Sequence, residues 1–90
     1  MEMKPRAVYT AEGIVIDADE EEPIVGAVVS SSVETVETDE DGYFRVRLPT
    51  LPKKKAITIT ADGYDEYTTT VGRRRLHHYL GRIELEYSPH

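Results

Sequence analysis

Residues 38–46, Thr-Asp-Glu-Asp-Gly-Tyr-Phe-Arg-Val, constrain the fold more than any other stretch of the chain. An acidic turn closes on Gly42 and passes at once into a segment that alternates apolar with charged residues. Glycine supplies the positive φ that so tight a turn needs, and a period of two then places Phe44, Val46 and Leu48 on one strand face. Similar short runs, rich in β-branched residues, recur along the chain with glycine, proline or acidic turns between them. No sustained three-and-four spacing of apolar residues marks a helix. The pattern predicts strands near residues 7–17, 25–31, 33–38, 43–48, 55–61, 67–72 and 80–87. Seven short strands in 90 residues predict an all-β, seven-stranded antiparallel sandwich with Greek-key-like connections.

Length and composition set the bounds of that expectation. A chain of 90 residues predicts a single domain over 1–90, with an ordered core at about 7–87 and frayed ends at 1–6 and 88–90. A hydrophobic share of 39% and a charged share of 31% fit a folded, water-facing domain. With no cysteine there is neither a disulfide frame nor thiolate chemistry, and the redox compartment stays open. The segment Met1-Glu2-Met3-Lys4-Pro5-Arg6 lacks the apolar stretch of a secretion signal, and no run of about 18 apolar residues predicts a transmembrane segment. A net charge of −6 argues against nucleic acid as the default partner.

Strand parity predicts the core. Gly13 and Val15, Ala27 and Val29, Phe44, Val46 and Leu48 share the inner face with Ile57, Ile59, Ala61, Ile83, Leu85 and Tyr87. Ile14, Ile16 and Val28 are expected on the outside.

Charge is distributed unevenly. If each strand reverses the chain, the first, third and fifth connections meet at one end of the sandwich. They bring Asp17, Asp19, Glu20, Glu21 and Glu22, then Asp39, Glu40 and Asp41, then Asp62, Asp65 and Glu66, eleven of the 17 acidic residues. The opposite end is expected to collect Lys53, Lys54, Lys55, Arg73, Arg74 and Arg75. Charged loops solvate a small sandwich and discourage edge pairing. Opposite poles also attract, which predicts head-to-tail stacking or end-on docking to a charged partner.

Candidate chemistry is sparse. The serines lie outside any nucleophile elbow, and His77, His78 and His90 fall in a late loop and at the tail without a carboxylate partner placed by motif. The chain is expected not to be an enzyme. Asp39-Glu40-Asp41-Gly42 covers only part of a calcium loop, and adjacent His77 and His78 point to opposite faces, so no metal or cofactor is expected, with calcium pooled between the acidic loops kept as an alternative. Sugar binding needs exposed aromatics, for which Tyr9, Tyr43 and Tyr79 are the candidates. Without aromatic interleaving or a groove-reading helix, the basic run predicts no sequence-specific nucleic-acid recognition.

Five segments in order resemble the carboxypeptidase regulatory-like domain, a transthyretin-like β-sandwich. They are Gly13, Val15 and Asp17; Pro23, Gly26, Ala27 and Val29; Thr38, Asp39, Gly42 and Phe44; Ile57, Ile59, Gly63 and Tyr64; and the closing run from Leu80 to Leu85. The resemblance implies turn glycines and core apolars, with no shared catalytic set. It also implies an accessory or surface-interaction module within a secreted or cell-surface parent. The chain ends Tyr87-Ser88-Pro89-His90, unlike the Tyr-Arg-Gly-Ser tail of the transthyretin-like hydroxyisourate hydrolase. The expected function is therefore a non-catalytic module that binds a protein partner, or itself, through charged end loops or a strand edge. The alternatives are a carbohydrate-binding module and a calcium-stabilised surface domain.

Overall fold

A computed structural model describes residues 9–50, 55–72 and 76–88. Seven strands follow in order: β1 (Tyr9–Asp17), β2 (Val28–Ser30), β3 (Thr35–Glu37), β4 (Tyr43–Leu48), β5 (Lys55–Thr60), β6 (Tyr67–Val71) and β7 (His77–Leu85). They form a three-stranded sheet, β4-β1-β7, and a four-stranded sheet, β3-β2-β5-β6. Every pairing is antiparallel except that of β1 with β7, the first and last strands, which run side by side in parallel. Strict reversal at each connection gives the odd-numbered strands one direction, so their parallel pairing follows from topology.

Period-two alternation carries the packing. In β4, Phe44, Val46 and Leu48 are buried while Arg45 and Arg47 face solvent. Val15, Val29, Ile57, Ile59, Ile83 and Leu85 join them from both sheets in one core. Full burial of such side chains stabilises the fold by roughly 1.5–3 kcal/mol each relative to exposure. Gly13 lies directly opposite Phe44 in register. A Cβ on Gly13 would stand 3.0 Å from the Gly81 carbonyl oxygen and 3.2 Å from the Phe44 ring, so only glycine lets the ring fill that space.

Besides the parallel pairing of β1 with β7, where an antiparallel sandwich was expected, four details differ from the sequence expectation. The last strand begins at His77 rather than near residue 80, because Gly81 makes a bulge instead of a break. Glu12 pairs with Tyr79 and Ile14 with Arg82, so β7 spends one extra residue there, and Gly81 has φ +71°. Ile16, expected outside, is 3% exposed because the first connection folds back and bridges it to Pro23. Tyr87, expected in the core, lies beyond the end of β7 and is 55% exposed.

Lys55, expected in a solvated basic loop, is the first residue of β5 and 0% exposed. Its ammonium sits 4.6 Å from the centroid of the Tyr9 ring, whose π face offsets part of the cost of removing the charge from water. The register explains the burial: Lys55 has the parity of Ile57 and Ile59, which face the core.

Candidate functional site

The acidic end is built by turns whose carboxylates and hydroxyls bind backbone groups. Thr38 is buried and its hydroxyl donates to the Ile24 carbonyl at 2.5 Å while accepting from the Ala27 N–H at 2.9 Å. Thr38 thereby fastens the third connection to the first. Asp39 accepts from the N–H groups of Asp41 and Tyr43, both at 2.9 Å, and holds the turn that enters β4. Gly42 has φ +75°, and a Cβ there would stand 2.4 Å from the Val15 carbonyl oxygen. The Thr38-Asp39 … Gly42 … Phe44 motif is thus a joint between the two sheets.

Asp17 plays the matching part at the end of β1. Its Oδ1 accepts from the N–H groups of Asp19 and Glu20 at 2.7 and 2.8 Å, and its Oδ2 accepts from the Tyr64 hydroxyl at 2.7 Å. These donors, Tyr64 first, hold the Asp17 carboxyl below its usual range. The same bond, with the partial burial of the phenol, pushes Tyr64 up to about 12. Tyr64 packs edge-on against Tyr87, with centroids 5.5 Å apart. Backbone bonds from Asp65 to Glu86 and from Ser88 to Gly63 bring the fifth connection to the same place.

Of the acids expected to form a binding pole, Asp17 and Asp39 are therefore committed to holding turns. Asp19, Glu20, Glu21, Glu22, Glu40, Asp41, Asp62, Asp65 and Glu66 remain exposed. Among them Glu21 reaches Arg82 at 3.4 Å, a solvent-facing ion pair. Two hollows adjoin this end and share Tyr64. A shallow polar one of about 230 Å³ lies between Asp17, Asp19, Glu20, Tyr64 and Tyr87. A larger groove of about 470 Å³ is lined by Ile24, Val25, Gly26, Val28, Thr60, Ala61, Asp62 and Tyr64. Val25 beside it is 64% exposed. Among the described residues, no group of three or more histidine or acidic side chains is arranged to hold a metal ion.

The other expected sites fare differently. Lys53, Lys54, Arg73, Arg74 and Arg75 lie outside the described residues, and Lys55 is buried. The tyrosines proposed for sugar stacking all belong to the three-stranded sheet. Tyr9 is engaged by Lys55, and the Tyr43 hydroxyl donates to Glu12, whereas Tyr79 is 67% exposed. Tyr43 and Tyr79 stand on strands that flank β1, two strand spacings or roughly 10 Å apart, so they make no continuous stacking platform.

Sequence reasoning missed a polar cluster on the outer face of that sheet. Glu12 accepts from the Tyr43 hydroxyl and from His77 Nε2–H at 2.7 Å, and the Thr10 hydroxyl meets His77 Nδ1 at 2.7 Å. The Tyr43 bond and then the His77 bond lower the Glu12 carboxyl below its usual range, and the Glu12 bond raises Tyr43. These partners are 31 and 65 residues from Glu12 in sequence. The only sequence signal was the even parity of Thr10 and Glu12, and pairing β1 with β7 was needed to use it.

Comparison with known proteins now places the molecule. The profile of the carboxypeptidase regulatory-like domain matches residues 10–75. No curated protein matches the sequence. Solved structures match in fold. A protein of unknown function from Bacteroides fragilis superposes with a TM-score of 0.65 at 18% identity, covering 89% of this chain and 28% of its own. A cohesin–X-dockerin complex of Acetivibrio cellulolyticus gives 0.61 at 18% identity, over 82% of this chain and 52% of that one. The 3-chlorocatechol 1,2-dioxygenase of Rhodococcus opacus 1CP gives 0.65 at 13% identity, over 97% and 62%. The chain thus spans less than two thirds of each, and at these identities the likeness is one of fold, a transthyretin-like β-sandwich. On its profile match and its two-sheet architecture, the chain belongs to the carboxypeptidase regulatory-like domain family.

Proposed function

We propose that this domain is a non-catalytic interaction module whose docking surface is its acidic end, and that its partner is a cationic protein segment. Domains of this family are non-catalytic modules, which supports the first half of the reading. The observation that carries the second half is the groove of mixed polarity along Ile24, Val25, Val28, Ala61 and Asp62, which shares Tyr64 with the hollow at Asp19 and Glu20. Exposed Val25 gives a partner side chain an apolar contact, and the carboxylates of Asp62, Asp19 and Glu20 select a cationic partner and speed its encounter. The partner is expected to carry Lys or Arg next to an apolar side chain. The basic runs 53–55 and 73–75 prompt a second copy of the chain as one partner to test, although Lys55 is buried.

A titration with a short peptide of alternating Lys and Leu, followed by amide chemical shifts, tests the reading. Shifts confined to residues 19–28 and 60–65, lost at about 0.5 M salt, support it. Glu20→Lys with Glu22→Lys should weaken binding at least tenfold at low salt. No shift in that region at low salt would overturn it. Light scattering at low and high salt covers the second copy: association that dissolves with salt supports end-to-end contact, and a constant monomer mass removes it.

A further inference from the structure

Four strands stand at sheet edges, and three of them are guarded. β3 is only three residues long and is flanked by Glu34 and ends on Glu37. The outward backbone groups at both ends of β4, those of Tyr43 and Arg47, are taken by side chains and a turn. The Arg47 N–H donates to Glu34 Oε1 at 2.8 Å, and the Ser31 hydroxyl donates to the Arg47 carbonyl at 2.6 Å. The Tyr43 N–H donates to Asp39 Oδ1, and the Tyr43 carbonyl accepts from the Asp39 N–H at 3.0 Å. β7 is bulged at Gly81, and the chain just past its end is covered by residues 63–65. Short length, capping and bulging are the means by which proteins keep edges from pairing.

β6 has none of these protections. Its five residues, Tyr67-Thr68-Thr69-Thr70-Val71, include no charge, no proline and no bulge, and its ladder with β5 is unbroken. With the other described residues, its backbone makes no hydrogen bond outside that ladder. Every residue in it has high β-propensity. Among the described residues nothing pairs with the outward N–H and C=O groups of this strand, which makes it a template for one more strand.

We propose that β6 pairs with β6 of a second copy, antiparallel about a two-fold axis at Thr69, joining two four-stranded sheets into one of eight. The strand is complementary to itself in this register. Thr68 falls opposite Thr70, and Tyr67 falls opposite Val71, both favourable cross-strand pairs. No like charges meet. Five residues make a small contact, of the kind found in weak and transient association. The surface is separate from the acidic end, and its failure leaves that reading standing.

The test is sedimentation equilibrium from about 10 µM to about 1 mM, a range suited to a weak contact, with hydrogen exchange of the β6 amides. The wild-type mass should climb from 10.2 kDa toward twice that value, with amides of 67–71 gaining protection as concentration rises. The dimer should persist at about 0.5 M salt, where an end-to-end contact dissolves. Thr68 and Thr70 are exposed, so substitution there leaves the core untouched. Thr68→Lys with Thr70→Lys sets lysines against lysines and should weaken the dimer at least tenfold. Thr68→Lys with Thr70→Glu sets opposite charges together and should restore it. A wild type that stays at monomer mass throughout would overturn the proposal, as would a dimer indifferent to the double-lysine change. Protection of β6 that appears only when another protein's strand is added would overturn self-pairing too.

Discussion

Two glycines with similar backbone angles make different demands on the molecule. Gly42 and Gly81 both lie in the left-handed region, at φ +75° and +71°. A Cβ on Gly81 meets nothing within 4 Å, whereas one on Gly42 meets the Val15 carbonyl oxygen at 2.4 Å. Gly81→Ala should therefore cost only the conformational strain, about 1–2 kcal/mol. Gly42→Ala adds a collision with backbone and should cost at least about 3 kcal/mol, a difference that urea denaturation of the two variants will read. Thr38→Val keeps the shape of the side chain but leaves the Ala27 N–H and the Ile24 carbonyl without a bond. We expect a loss of about 2–4 kcal/mol from two buried groups left unsatisfied.

The bond between Tyr64 and Asp17 gives a pH signature at the same scale. The folded carboxyl of Asp17 is depressed, so its contribution is present above the unfolded value near 3.8 and is lost as pH falls through the lower folded value. Tyr64 is raised from 10.0 to about 12, so its contribution is complete below pH 10 and is lost as pH rises through about 12. The stability gap between wild type and Tyr64→Phe should be widest near neutrality and close at both extremes. Urea midpoints across pH check this, and a gap that does not change with pH would contradict it.

At the scale of elements, the molecule depends on β1, the central strand of the three-stranded sheet. β1 pairs with β4 on one side and β7 on the other, and Gly13 lets the Phe44 ring lie across it. Phe44→Ala should cost roughly 3–5 kcal/mol, because the cavity lies between sheets that cannot collapse far. The outer face of this sheet is bound by Glu12, Tyr43 and His77, one from each strand. Strand existence was legible in sequence because turn glycines and period-two runs are local. The start of β7 was not, since Gly81 reads as a break in sequence and becomes a bulge only when β1 lies beside it. Nor was the burial of Lys55, whose charge argued for solvent while its parity argued for the core.

At the scale of the whole molecule, one end concentrates like charge. Asp19 to Glu22, Glu40 and Asp41 are exposed there, with Asp62, Asp65 and Glu66 nearby. Their mutual repulsion opposes folding and is screened by salt. Raising salt from about 0.01 M to about 0.15 M shortens the screening length from about 30 to about 8 Å and should raise Tm by a few degrees. Calorimetry checks this, and the Glu20→Lys, Glu22→Lys variant should show a smaller rise. The gathering of these loops was legible from strand alternation alone. The groove beside them was not, because its walls come from the chain after β1 and from the end of β5.

What the sequence by itself determined is the class of fold and the part of the core that follows strand alternation: turn glycines, alternating strands and the Thr38–Phe44 joint act over a few residues, and local sterics and solvation set them. Tertiary structure decided the pairing of first strand with last, the commitment of Asp17 and Asp39 to turns, and the fate of each charged side chain. These depend on which distant backbone lies alongside. A carboxylate is a turn cap or a docking group according to the donors that the rest of the fold brings to it, and its place in the sequence names none of them.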